Sequence, residues 1–329
     1  LDSSTLLSFM KDSINPQEIN AITLAFSEYK DTLNDESLYA SSITKDFNVK
    51  HTTKYLSQID FQSNYEFLIH SMDQPTIDGV NTFFVCMAAK EYGLKVAISG
   101  LGADELFGGY KHFQTIPKLV KLNRLVNLLN LGGANFRNFS NKYLKKYLSP
   151  KYRSIFEMGG SIPDAYLLTR SLFLPWEIEE FVGHEIFHKG INKLNTISKL
   201  DDSCKYSDNF KSSISSLDIQ WYMRNQLLRD TDWASMAHSI EVRVPFLDLE
   251  LIKTLSKISS LGRSLNKKDM INSTKENFSN RFKNRKKTGF NVPINEWLNS
   301  RSKFKIKNEF SNHPTRKWAF NIANEFRII

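Results

Sequence analysis

Three short stretches combine residue types and spacings that could do chemistry. The first is residues 96–110, VAISGLGADELFGGY, where Ser99-Gly100-Leu101-Gly102 follows a β-prone apolar run. Open parallel sheets bind ligands at the ends of their strands, and glycines there let a phosphate or an adenine approach the backbone. Asp104 and Glu105 follow at once. Two carboxylates beside a phosphate repel it unless a cation such as Mg2+ lies between them, so the segment predicts a metal–nucleotide site. Taken alone, a glycine turn with a helix-capping Asp accounts for it equally well. The second stretch, His184-Glu185-Ile186-Phe187-His188, is an HExxH pattern. On a helix it would put two histidines on one face for Zn2+, with Glu185 as general base. The pattern is short and often accidental, and Gly183 and Gly190 leave barely two helical turns, so a surface helix is the plainer reading. The third is the basic run Lys283 to Lys287, followed by Gly289-Phe290. Basic runs are usually solvated, but a glycine turn with an apolar anchor can hold one loop lysine in place, which favours Lys287. His51 and His238 show no ligand spacing and read as structural.

The elements that must position these groups follow from the hydrophobic pattern. Leu6, Leu7 and Phe9 lie on the first turns of a helix with Asp2, Ser3 and Ser4 at its amino end, a capping pattern. Residues 19–26 predict a buried strand, residues 36–47 a helix and the neighbourhood of His51 a short strand. Residues 83–92 predict a helix that stops near Gly93 and leads into a buried strand over 95–99. Strand and helix alternate, which is the α/β pattern. After Tyr110 the chain reads as helices and loops, with a soft boundary near Gly132, a loop or connector over 198–216, and a strongly patterned segment over 217–252. The expected organisation is an α/β lobe over 1–131 followed by a mainly helical lobe over 132–329.

Residues 99–110 resemble the SGxGxDExFGGY signature of the asparagine synthetase family, whose synthetase domain is a parallel-sheet ATP pyrophosphatase of the adenine nucleotide alpha hydrolase-like kind. Asp2-Ser3-Ser4 resembles the end of that family's SGGxDSS pyrophosphate loop (PP-loop). DWASMAHSIEVRVPFLD at 232–248 and RKKTGFNVPINEWL at 285–298 resemble two further family segments. The resemblance implies ATP and Mg2+ as cofactors. It makes Asp2 and Asp104 the Mg2+ ligands, Ser3 and Ser4 phosphate contacts, and Ser99 and Gly100 nucleotide contacts. Leu24 matches a position lining the adenine pocket, where a plain core leucine is the alternative. Lys287 matches the lysine that reaches the α-phosphate and, with Glu105, is expected to be catalytic. Asp232, Ser235, Glu241 and Arg243 would shape the substrate side, a buried Glu–Arg pair that orients a helix being an equally good account. The implied reaction joins ATP and a carboxylic acid, aspartate first, to an acyl-adenylate and pyrophosphate; ammonia then gives the amide and AMP. Leu101 stands where the familiar glutamine-dependent members carry Glu, so the acceptor acid is open.

In this family the ammonia comes from glutamine through an amino-terminal domain whose first residue is a nucleophilic cysteine. Neither Cys86 nor Cys204 suits that role, and a longer parent protein is expected to supply that domain. The strand that should precede the pyrophosphate loop is also expected upstream, so the chain alone is expected to be incomplete and inactive. Two distant cysteines without CxxC spacing suggest a reducing, cytoplasmic setting, and no apolar run approaches the roughly 20 residues that span a bilayer. The 329 residues carry 44 basic and 35 acidic side chains, a net charge of +9, which suits polyanionic partners without choosing among them. No RNA- or DNA-binding motif accompanies that charge, so neither nucleic acid nor membrane is expected as a partner. Self-association into a homodimer stays open. The competing readings are a ring-closing relative acting on another amine, an amidotransferase of a secondary-metabolite or surface-polysaccharide pathway, and a non-catalytic scaffold. The scaffold reading has no need of Asp2, Asp104 or Lys287.

Overall fold

In the computed structural model, residues 1–32, 34–128, 132–144, 146–207, 209–275, 292–298 and 313–328 are described. In chain order the elements are α1 (Asp2–Ser13), β1 (Asn20–Phe26), α2 (Ser37–Asp46), β2 (Lys50–Leu56), α3 (Gln58–Ser71), α4 (Val80–Glu91), β3 (Val96–Ile98) and α5 (Ala103–Phe107). There follow α6 (His112–Leu128), α7 (Gly133–Tyr143), α8 (Pro150–Arg153), α9 (Ile155–Met158), α10 (Ile162–Arg170), α11 (Pro175–Val182), α12 (His184–Leu194), α13 (Thr196–Cys204) and α14 (Phe210–Leu217). A π-helical stretch, Asp218–Leu227, leads into α15 (Leu228–Met236), β4 (Glu241–Arg243), α16 (Leu249–Ser260), α17 (Lys267–Asn272), α18 (Ile294–Leu298) and α19 (Pro314–Glu325). The described residues are thus mixed α/β, mostly helical, with two small parallel sheets.

The chain forms two compact units that interleave in sequence: residues 1–103, 223–253 and 265–328 make the first, and residues 104–222 and 254–264 the second. In the first, β1 and β2 pair in parallel from Asn20 opposite Lys50 to Phe26 opposite Leu56. Leu24 and Phe26 enter a core with Phe61, Leu68, Phe83, Phe84, Trp233, Trp297 and Trp318. Helix α3 was not anticipated, although its start is written locally. Ser57 Oγ accepts from the Asp60 N–H at 3.3 Å and Asp60 Oδ2 from the Ser57 N–H at 2.8 Å, a reciprocal cap.

The second sheet pairs β3 with β4, Val96 opposite Glu241 through Ile98 opposite Arg243. The expectation of a buried strand over 95–99 is corrected here. Val96 and Ile98 are 50% and 44% exposed, because β4 is the only partner of β3 among the described residues and Ala97 alone turns to the small cluster around Cys86, Ala89 and Ile240.

The second unit packs α6, α10, α13 and α14 around Ile116, Val120, Ala165, Tyr166, Leu200, Ile214 and Leu217. The loop expected over 198–216 is mostly helix, a second correction. Asn209 caps α14 by accepting from the Ser212 N–H at 3.0 Å, and Leu200 and Ile214 are buried, so a few apolar anchors outweigh the polar composition. No helix among the described residues is long and apolar enough to cross a membrane.

Candidate functional site

Three segments far apart in sequence meet in the first unit. The β3–β4 ladder begins with Glu241 N–H donating to Lys95 O and ends with Ser99 N–H donating to Arg243 O, both at 2.8 Å, so the loop 99–102 starts level with 243–247. Gly102 has φ +95°, and a Cβ there would lie 2.6 Å from Leu247 Cδ2. Only glycine takes up that conformation and that approach without strain. At Gly100 a Cβ would lie 2.9 Å from Asp2 Cβ and 3.0 Å from the Ser3 nitrogen. The missing side chain lets the first turn of α1 press against the loop after β3. Asp2, Ser3, Ser99 and Gly100 are therefore neighbours in space.

The amino end of α1 carries the electrostatics of an anion site. No side-chain cap hydrogen bond is made there, and the first intrahelical bond is Thr5 N–H to Leu1 O. The amides of the first turn thus lack partners within the helix, and the helix dipole adds attraction for negative charge. Asp2, half-buried, would oppose a phosphate by itself. Lys267, at the first position of α17, donates to Asp2 Oδ1, so positive charge is already held against this carboxylate. Lys267 was missed from sequence. The available signal was the Asn266/Asp269 capping box, which marks a helix start but not its distant partner. Carboxylate oxygen, free amides and hydroxyls are the donor set of a hard cation with phosphate, so this turn fits Mg2+ and a nucleotide phosphate.

Leu24 is 3% exposed within the hydrophobic core. Glu241 and Arg243 pair at 2.6 Å on the exposed face of β4, with side chains 54% and 65% accessible. The buried-pair account of them is corrected: alternate residues of a strand share a face, and this face is open. Asp232 is exposed, whereas Ser235 is buried with its hydroxyl donating to Asp232 O at 3.2 Å. The segment Gln74–Gly79 is held by Asp230, whose Oδ2 accepts from Thr76 Oγ1 at 2.6 Å and whose Oδ1 accepts from Trp233 Nε1 at 3.2 Å. Lys287 lies outside the described residues. The carboxyl end of its segment is fixed: Trp297 is fully buried, stacks obliquely on Phe61 at 5.0 Å and donates from Nε1 to Glu28 Oε1 at 2.5 Å.

Asp104 and Glu105 belong to the second unit. Asp104 is half-buried on α5. Glu105 is 1% exposed and accepts from the Tyr110 hydroxyl at 2.7 Å. Its carboxyl pKa is raised by burial and, to a lesser degree, by Asp104 and Asp218, against the Tyr110 hydrogen bond. Sequence inspection overlooked the network beyond it. Asp218, fully buried, accepts from Tyr166 Oη at 3.0 Å and Arg170 Nε at 3.1 Å, and meets His112 Nε2 at 2.7 Å. The Arg170 guanidinium lies 3.7 Å from the Tyr222 ring centroid and 4.6 Å from that of Tyr110. The only sequence signal was polar residues at otherwise apolar helix positions.

The remaining titratable candidates are structural. His51 Nε2 meets Thr23 Oγ1 at 2.9 Å, and burial lowers its pKa. His238 is buried against Phe67 and Phe83, with its pKa lowered to about 4, chiefly by burial. Burial pushes the Cys86 thiol up to about 11, and burial with Asp201 does the same to Cys204. Both are thiols where a nucleophile must be thiolate.

A match to the asparagine synthase family covers residues 1–321, and the chain belongs to that family. Among curated proteins it is 28% identical over 295 residues to asparagine synthetase (glutamine-hydrolyzing) 1 of Bacillus subtilis (strain 168), across 84% of this chain and 41% of that protein. It is 27% identical over 271 residues to a putative asparagine synthetase (glutamine-hydrolyzing) of Mycobacterium tuberculosis (strain H37Rv), across 76% of this chain and 38% of that protein. A putative asparagine synthetase (glutamine-hydrolyzing) 1 of Methanocaldococcus jannaschii is 36% identical over 90 residues, 26% of this chain and 17% of that protein. The chain spans 41% and 38% of the length of the first two.

Proposed function

We propose that this chain carries the amide-forming half of an ATP-dependent, AMP-forming ligase of the PP-loop kind. In this reading a substrate carboxylate, aspartate first, attacks the α-phosphate of ATP, pyrophosphate leaves, and ammonia derived from glutamine displaces AMP from the acyl carbon. The observation that carries the reading is the close approach of Gly100 to Asp2 and Ser3, which brings a helix amino end beside the loop after a parallel strand. Ser3 and Ser4 would contact phosphate, Ser99 and Gly100 the nucleotide, and Leu24 the wall behind the adenine. Asp2 would be a ligand of Mg2+, which when bound neutralises the charge of the leaving pyrophosphate; the same role for Asp104 rests on the family resemblance alone. Lys287 would stabilise the α-phosphate as charge builds on it, and Glu105, kept in place by Tyr110, would act on the substrate side. A cytoplasmic setting and a homodimer are part of the same proposal.

Pyrophosphate release from Mg-ATP and ammonia, measured on the protein that contains this chain with a panel of acids led by aspartate, tests it. Aspartate-dependent release that falls by at least about 100-fold in Lys287→Ala and in Asp2→Asn is the expected result. The same loss with a different acid would keep the chemistry and reassign the substrate, with Leu101 the first residue to exchange for Glu. No release with any acid would overturn the reading in favour of a scaffold.

A further inference from the structure

Glu179, His184 and His188 take no part in the site above. Helix α11 ends at Val182, Gly183 turns the chain with φ +80°, and α12 starts at once with His184. His184 and His188 are four residues apart on α12 and so lie one above the other on one face. Glu179, on α11, faces them both. His184 Nδ1 is 2.6 Å and His188 Nε2 3.7 Å from the same oxygen, Glu179 Oε1, and the two imidazole centroids are 4.1 Å apart. One ligand atom from each residue lies within 4.8 Å of the other two, the only such trio of His, Cys, Asp or Glu among the described residues.

We propose that Glu179, His184 and His188 form a binding site for a divalent transition ion of the Zn2+ class, with three protein ligands and a fourth position left to water. An exposed His–Glu hydrogen bond needs one imidazole. Here two converge on one carboxylate oxygen, and the turn at Gly183 holds the two helices in that relation. Bonds of about 2.0–2.2 Å to nitrogen and oxygen place neighbouring ligands of a tetrahedral ion roughly 3.3 Å apart, and the two nitrogen–oxygen separations of 2.6 and 3.7 Å bracket that spacing. Side-chain rotation alone can therefore close the site. Two imidazoles and one carboxylate select Zn2+, Ni2+ or Cu2+ over Mg2+, which prefers oxygen donors. One carboxylate leaves a bound divalent ion with a net charge of +1 and room for an anionic fourth ligand. The side chains are 78%, 49% and 36% accessible for His184, His188 and Glu179, so the ion enters directly from solvent. Glu185, the general base of the HExxH reading, is not in the trio, and the inference is metal binding, not peptide hydrolysis.

The test is calorimetric Zn2+ titration of the chelator-stripped full chain in excess Mg2+, which fills oxygen-only sites, with Co2+ absorption as a second readout of nitrogen-containing tetrahedral ligation. One equivalent of Zn2+ is expected, with affinity falling at least about tenfold in His184→Ala, in His188→Ala and in Glu179→Gln. Zn2+ should also raise the melting temperature of the wild type and not of the His184→Ala/His188→Ala double variant. If either alanine variant melts early without metal, His184→Asn and His188→Gln replace them. Unchanged Zn2+ affinity in the double variant, or no Zn2+ uptake by the wild type, would overturn the proposal.

Discussion

The loop cluster of the first unit and the Asp218 network of the second solve opposite problems. Around Gly100 and Gly102 the chain removes side chains so that backbone can touch backbone, leaving helix amides and hydroxyls bare where an anion can reach them. Around Asp218 it does the reverse, sinking a charge and surrounding it with His112, Tyr166 and Arg170 until its oxygens are occupied. The first region leaves polar groups open at a helix start, and in the second the buried carboxylate is already satisfied. The same residue types therefore carry different meanings: Asp2 is half-open with one lysine on it, while Asp218 has no access to solvent.

The contrast breaks most readily at Asp218. Asp218→Ala strips a largely buried guanidinium, its side chain 21% accessible, of its fully buried carboxylate and should cost about 3–5 kcal/mol, read by urea unfolding. A cost below about 1 kcal/mol would mean that water already serves Arg170 and the network is not sealed. Gly102→Ala should cost about 1–3 kcal/mol through its positive φ and its contact with Leu247, and should impair nucleotide-dependent turnover more than stability. Equal loss of both would make the loop a structural corner and nothing more.

The smallest effect at neutral pH, and the sharpest in acid, belongs to His238 in the first unit. Its folded pKa, lowered to about 4, lies below the unfolded value of about 6.5. The unfolded chain therefore binds the extra proton first. The stability that His238 contributes is complete above pH about 6.5 and is lost as pH falls toward 4. His238→Leu should flatten the melting temperature across that window and leave it nearly unchanged at pH 8, as followed by circular dichroism.

Much of the local architecture was legible in the sequence. Strand β1, helices α2 and α4 and a short strand at His51 were anticipated within a few residues, because period and β-branching act over short range, whereas the parallel pairing of that strand with β1 appeared only in the structure. Helix α3 was overlooked although Ser57 and Asp60 announce it. The polar composition over 198–216 concealed two helices, because Leu200 and Ile214 are too few to show a period and are buried only by partners elsewhere in the chain.

The glycines after β3, the carboxylates that follow them and the serines at the start of α1 are determined by sequence alone, since their chemistry and spacing are local properties. Tertiary structure decided which of them touch. It brought Asp2 against Gly100, set Lys267 on Asp2 from 265 residues away, left the Glu241–Arg243 pair in solvent, and gathered two histidines around Glu179. Those choices rest on burial and on ion pairs between distant segments, whose energies depend on the surroundings that only the folded chain supplies.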